Sequence, residues 1–371
     1  MAGMIARVRA RRLNRMALLS WERGDAAMAD QFAGQAVQLM DTRNDGFADA
    51  AIRAETLLIR ASIASIGANH GTAFRCLHKA VALLDEHAVS KTGDLWLAEA
   101  LTRAGDALRL AGQYVEAERA LERVFTLAYW DDLEPLRKAV ALNAKGILCK
   151  DTGRYQEAAA LYAEAFALTK ASRGPDDPQI AAILHNLAGL AHVQGNYEDA
   201  ERHIRRALAI RRRNDSGNAA GIAADLSVLG AILGAQGKLD EAESAIREAL
   251  QMWTAKNGPA HYEVAVQLNN LASVQQRRQE YPEAEAGYTR AIEIKRSVLG
   301  PDHPEVAALF NNLASLEADT GRMASAAAHY DQAIEILNRT LGFQHPNTQT
   351  CIANRSRLEP RGRRSLGPID P

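Results

Sequence analysis

Three histidines, His185, His192 and His203, fall within nineteen residues of this 371-residue chain, and clustered imidazoles suggest a metal site. His185 and His192 are seven apart, so on a helix they share a face but sit two turns apart. Helical chelation uses i, i+4 spacing, as in HExxH. Polar surface residues are therefore the expected role. The carboxylate pairs Asp131–Asp132 and Asp176–Asp177 are sequence neighbours. General acid–base chemistry needs two carboxylates converging on one site; these pairs fit helix N-terminal charge and solvated surface. Cys76, Cys149 and Cys351 are odd in number and far apart, which matches neither a disulfide framework nor a Cys-x-x-Cys metal site. Buried, such thiols act as small hydrophobes. The glycine-rich strings NDSGNAAG (214–221) and GANHG (67–71) lack the preceding strand that a phosphate-cradling loop requires. GxxxxGK[ST], GxSxG and HExxH are all absent. The expectation is a chain that is not an enzyme and uses no metal or cofactor.

Charge narrows the partners. Lys plus Arg total 44 and Asp plus Glu 45, a net charge of −1, which excludes a wholesale polyanion binder. Arginines do cluster at Arg7, Arg9, Arg11, Arg12 and Arg15, and again at Arg355, Arg357, Arg361, Arg363 and Arg364. Solvation is their default role and an acidic protein partner the next. Nucleic acid is disfavoured, because no base-reading motif or interleaved aromatic accompanies them. The apolar stretch MALLSW stops at Glu22, short of the roughly 7–15 residues of a secretory signal core. No apolar run nears the roughly 18 residues of a membrane span. A folded first helix, no membrane partner and a cytoplasmic location are expected.

The positioning elements emerge from an internal repeat. Strings such as GRYQEA, GNYEDA, GKLDEA, QEYPEA and GRMASA end at Ala158, Ala200, Ala242, Ala284 and Ala326, each 42 residues from the last. Ala117, Ala73 and Ala29 continue the series at spacings of 41, 44 and 44. Twelve residues before each anchor stands Ala17, Ala61, Gly105, Gly146, Ala188, Gly230, Ala272 or Ala314. Seven after comes Ala36, Ala80, Val124, Ala165, Ala207, Ala249, Ala291 or Ala333. Columns of small residues let paired helices approach closely, and Tyr162, Ile204, Ile246, Tyr288 and Tyr330, four after the anchor, fill the space between. Each unit reads as two antiparallel helices. In the last complete one, Pro304 opens a helix with Val306, Leu309, Phe310, Leu313 and Leu316 at helical spacing, and Gly321 ends it. A second runs over 323–341 with Ala326, Tyr330, Ala333, Ile334 and Leu337 on one face. Period-two alternation is absent, so a strand reading fails. Stacking eight such units buries a continuous core that one unit cannot. The string FTLAYWDDLEPL near Trp130 marks an irregular junction, and TQTCIANR fits a short capping helix.

The stretch GPDHPEVAALFNNLASLEADTGRMASAAAHYDQAIEIL resembles a tetratricopeptide repeat of the kinesin-light-chain type. The resemblance implies an all-α fold, a right-handed superhelical solenoid of about eight helix-turn-helix repeats with the first helix of each lining a concave groove. It implies a repeat array over 1–348, weaker over 1–133 and strong over 134–348, followed by a cap and a basic, disordered tail over 349–371. It also implies where a ligand would lie. The groove positions fall on Asn143, His185, Ser227, Asn269 and Asn311, then Asn186, Asn270 and Asn312, then Ser273 and Ser315, and finally Lys150, His192, Gln276 and Arg277. Amides both donate and accept, so such a ladder can pair with an extended peptide backbone; the alternative is that these asparagines bond to the neighbouring unit. The family's carboxylate-clamp class wants Lys where this chain has Asn143, His185, Ser227, Asn269 and Asn311, which disfavours a chaperone-tail adaptor. Ala224, Ala231, Gly234 and Ala235 would leave a bare patch for an apolar anchor side chain. The expected function is a scaffold or adaptor that binds a peptide or protein segment. A ligand-responsive regulator that switches a partner is the alternative, and self-association stays open.

Overall fold

The computed structural model describes residues 2–22, 26–40, 47–66, 70–86, 91–214 and 219–358. Seventeen helices and no strands occur among them. They pair as α1 (Ala2–Glu22) with α2 (Ala26–Met40), α3 (Phe47–Ile66) with α4 (His70–Asp85), α5 (Lys91–Leu110) with α6 (Tyr114–Phe125), and α7 (Pro135–Asp151) with α8 (Tyr155–Arg173). The series continues with α9 (Pro178–Val193) and α10 (Tyr197–Arg213), α11 (Ala219–Ala235) and α12 (Leu239–Asn257), α13 (Tyr262–Arg277) and α14 (Tyr281–Leu299), and α15 (Pro304–Asp319) and α16 (Met323–Thr340). A last helix, α17 (Pro346–Arg357), contains the TQTCIANR string. The glycine-rich strings lie partly, and the tail from 359 with Arg361, Arg363 and Arg364 wholly, outside the described residues.

The small-residue columns have a direct packing cause. Every described anchor alanine and every residue seven after an anchor, Val124 included, is fully buried. The column twelve before the anchor faces the large residue four after it on the partner helix. A Cβ at Gly105 would lie 2.5 Å from Leu121 Cγ, one at Gly146 2.6 Å from Tyr162 Cε1, and one at Gly230 2.4 Å from Ile246 Cγ1. The helices of these hairpins are so close that only hydrogen fits between them. On α16 the buried isoleucine is Ile336; Ile334, placed on the buried face by spacing, is only partly covered.

Turn chemistry sets the hairpin. Gly112, Gly153, Gly195, Gly237 and Gly321 end first helices in the left-handed region, with φ between 74° and 83°. Gln279 holds the same place at φ 64°, a conformation that costs a residue with a Cβ on the order of 1 kcal/mol. In each turn the next amide reaches back five residues, as Arg154 N–H does to Cys149 O at 2.7 Å and Arg322 N–H to Glu317 O at 2.8 Å, which satisfies an orphan helix carbonyl. At the other end, His261, His303 and His345 cap α13, α15 and α17. Each Nδ1 accepts the backbone N–H two residues on, at 3.2, 3.2 and 3.1 Å, so each ring carries its proton on Nε2.

The chain forms two compact units, Met1–Ile183 and Leu184–Pro371. In the first, α1 touches α3, α3 touches α5 and α5 touches α7; in the second, α11 touches α13, α13 touches α15 and α15 touches α17. Second helices make no such contacts with one another among the described residues. Their repeats are tied by ion pairs instead: Arg154 to Glu118 at 3.1 Å, Lys238 to Glu201 at 2.8 Å, Arg278 to Glu243 at 2.7 Å and Arg322 to Glu285 at 2.7 Å. Exposed pairs of this kind contribute at most about 1 kcal/mol each, so they fix register more than they stabilise.

Candidate functional site

The first-helix face of the Leu184–Pro371 unit carries an unbroken chain of amide hydrogen bonds. Asn354 Nδ2 on α17 donates to Asn311 Oδ1 at 3.0 Å, and Asn311 Nδ2 to Asn312 Oδ1 at 3.3 Å on α15. Asn312 Nδ2 then donates to Asn269 Oδ1 at 2.9 Å, and Asn269 Nδ2 to Asn270 Oδ1 at 3.2 Å on α13. Asn270 Nδ2 reaches Ser227 Oγ on α11 at 3.5 Å. The geometry follows from the period. The second Asn of each pair lies 43 residues from the first Asn of the preceding repeat, where adjacent first helices touch. Each amide spends one N–H and one lone pair along the chain and has a second of each. All five asparagines are half-buried, so the face is both a seam between repeats and a polar strip.

Other expected positions are drawn inward. Ser227 is 5% exposed and accepts from Gln267 Nε2 at 2.7 Å. Gly234 is buried, with its carbonyl covered by the Arg277 guanidinium; Ala231 is half-buried. The small side chains of α11 leave a space there, and the next repeat's arginine lies across it. Gln276 Nε2 donates to Asp319 at 2.6 Å and to Ser315 Oγ at 3.5 Å, while its carbonyl accepts from Tyr288 OH at 3.0 Å. Ser273 is exposed.

His185 Nδ1 lies 2.8 Å from Asp225 Oδ1, and Arg211 Nε donates to Asp225 Oδ2 at 2.8 Å. Asp225 is completely buried, so this carboxylate binds α9, α10 and α11 together. His192 packs against Tyr197, ring centroids 5.6 Å apart, and Asn186 is half-buried on α9. Among the described residues no three His, Cys, Asp or Glu groups are arranged to hold a metal. Burial pushes the Cys149 thiol up to about 12 and the Cys351 thiol to about 11, which keeps both in the unreactive form.

In the Met1–Ile183 unit, Asn143 is half-buried on α7, and Lys150 lies 3.5 Å from Asp151. Neither reaches the feature that matters most on this face. An apolar pocket of about 360 Å³ opens between α5 and α7, lined chiefly by Leu95, Ala98, Trp130, Leu133, Leu136 and Val140. Val140 is 49% exposed. The linker after α6 builds it. Asp94, 3% exposed, accepts the Tyr129 N–H at 2.9 Å, and Trp130 stands edge-on to Phe125 with centroids 4.7 Å apart. At the rim Glu99 holds Arg103 at 2.8 Å and Arg137 at 3.2 Å, and Glu134 lies 3.9 Å from Arg137. These residues escape a search by repeat register because the irregular junction at Trp130 supplies the pocket wall.

A wider cleft of about 810 Å³ lies at the turns beside α10, lined by residues including Asp199, Glu201, Arg202, Arg205 and Lys238. Its charges are spent on one another: Arg202 on Asp199 at 2.7 Å, Arg205 on Glu201 at 2.7 Å, and Lys238 on Glu201 at 2.8 Å. The Lys238 ammonium holds the Glu201 carboxyl down at about 2, against the opposing effect of burial. None of the described helices is long and apolar enough to cross a membrane.

Comparison with known proteins agrees with this architecture. Among solved structures, a Rap protein complexed with Competence and Sporulation Factor superposes with a TM-score of 0.62 at 12% identity, covering 96% of this chain and 99% of the other. BtubC (BKLC) from P. vanneervenii has 23% identity over 71% of this chain and 98% of its own, with a TM-score of 0.43. No curated protein matches the chain. The tetratricopeptide repeat model matches residues 137–213, 222–286 and 262–339, together more than half of the sequence, and the chain belongs to the tetratricopeptide repeat family.

Proposed function

We propose that the chain is a protein-binding scaffold that holds a peptide or protein segment on the face made by its first helices, with no catalysis of its own. The observation that carries this reading is the open apolar pocket at Trp130. A 360 Å³ recess with a half-exposed valine on a first-helix face suits a bulky anchor side chain, the group that dominates peptide interfaces. Two further features support it. Within each unit first helices touch one another and, among the described residues, second helices do not, which supports reading the first-helix face as the inner side of a curve. The amide chain offers spare donors and acceptors that an extended backbone can take without demanding one sequence.

The test spares the amides, because substituting Asn269 or Asn311 would also cut the seam between repeats. Val140→Glu puts a charge at the pocket mouth from an exposed position. Partner recovered by affinity capture and quantified by mass spectrometry should fall at least ten-fold, with the thermal midpoint unchanged. Undiminished capture would overturn the pocket's role.

The continuity of the amide chain favours a second reading, a ligand-responsive regulator. A ligand that takes one amide must re-pair its neighbours, and contacts in such arrays run only between adjacent repeats. A changed small-angle scattering profile on adding the captured partner's binding segment supports the regulator; an unchanged profile leaves the plain scaffold.

A further inference from the structure

The caps at His303 and His345 tie backbone order to imidazoles that must stay uncharged. Both residues are extended, at φ −77°, ψ 139° and φ −65°, ψ 138°, and each precedes a proline in the first helical turn. Pro304 and Pro346 have no N–H, so the first amides that need an acceptor are those of Glu305 and Asn347. The imidazole Nδ1 supplies it, at 3.2 Å in α15 and 3.1 Å in α17. Both histidines are only 6% exposed, so water is poorly placed to take over the bond.

A proton on Nδ1 and this bond exclude each other, because the lone pair that accepts the amide is the one that takes the proton. A charged ring would also face the positive end of the helix dipole. Three repeats before His303 the same place is held by Asp177, whose Oδ1 accepts the Gln179 N–H at 2.8 Å, so the position needs an acceptor rather than an imidazole. His261 makes the same bond to α13 but is half-exposed, where water can replace it. The elements around His303 and His345 carry Lys295 on α14, Asp302 in the loop, Glu305 on α15 and Arg339 on α16. Lys295 pairs with Glu305, and Arg339 with Asp302 at 2.6 Å. Residues 341–350 contain no Asp, Glu, Lys or Arg.

We propose that His303 and His345 form an acid-sensitive latch, in which proton uptake at Nδ1 frees the first turns of α15 and α17 and loosens that end of the Leu184–Pro371 unit. The capped state binds fewer protons than the released one, so stability falls as the pH drops through the ordinary histidine range. The two helices carry Asn311, Asn312 and Asn354, so the end of the amide chain loosens with them.

The experiment compares the full chain with the double variant His303→Asn, His345→Asn, because asparagine caps a helix well and takes up no proton. At about pH 7.5 the two proteins should melt together. At about pH 5.5 the wild-type thermal midpoint should have dropped at least about 4 °C further than that of the variant. Hydrogen exchange read by mass spectrometry, corrected for intrinsic rates, should show protection lost at the starts of α15 and α17 in the wild type alone. The unit's other histidines, His185, His192, His203, His261 and His329, are present in both proteins, so their titration cancels. If the asparagine variant is already less stable at about pH 7.5, His303→Asp with His345→Asp takes its place, the residue that Asp177 shows can cap there. An equal drop in wild type and variant, or equal loss of protection, overturns the proposal.

Discussion

Replacing Asp225 by alanine is expected to remove about 3–5 kcal/mol of stability, the cost of breaking a buried ion pair from one side. Asp225 has no exposed surface, and its two oxygens bind different helices, Oδ1 the His185 ring and Oδ2 the Arg211 guanidinium. The Arg211 side chain is itself only 12% exposed, so without the carboxylate its charge stays in a place that water barely reaches. Three helices would lose their common tie. Asp225→Asn keeps the shape but not the charge, so its loss should be smaller. Urea unfolding followed by circular dichroism measures both; a loss below about 1 kcal/mol in the alanine variant would show that water already solvates the cluster.

Gly146→Val should cost about 3 kcal/mol, the upper part of the usual range for overpacking. A Cβ at Gly146 would lie 2.6 Å from Tyr162 Cε1 and 2.8 Å from Cδ1. Tyr162 is fully buried, and its rigid ring has no free direction in which to turn. The equivalent clashes at Gly105 and Gly230 meet Leu121 and Ile246, whose branched ends can re-seat, so valine there should cost less. Combining Gly146→Val with Tyr162→Leu should recover more than half of the loss, since contacting residues couple. A double variant no better than additive would mean that the clash is relieved elsewhere, and the small-residue column would not be what sets hairpin spacing.

The hairpin architecture was legible because it rests on local, repeated chemistry. Alanine and glycine at fixed places, Pro304 and Pro346 at helix starts, and glycine at turns each act within their own unit, so the pattern repeats and can be counted. The candidate site was legible only in part. Asn269, Asn270, Asn311 and Asn312 stand in columns that mark the first-helix face, yet their head-to-tail bonding depends on where adjacent helices touch, which a spacing within one unit does not reveal. Asp225 and Gln267 left a trace: from α5 onward both are polar in a column otherwise filled by Ala100, Ala141, Ile183, Leu309 and Cys351, all buried. The pocket at Trp130 left less, because its wall comes from a linker that departs from the 42-residue repeat, and its shape arises from the bond between Asp94 and the Tyr129 amide 35 residues away.

Binding on the first-helix face is the claim on which the functional reading turns, and photo-crosslinking in cells tests it without knowledge of the partner. A benzoylphenylalanine placed singly at Val140 or Ser273 samples exposed first-helix positions in the two units; one placed at Arg119 or Glu248 samples exposed second-helix positions. The account predicts a discrete crosslinked protein from at least one first-helix site and none from the second-helix sites. Crosslinks confined to Arg119 and Glu248 would contradict it.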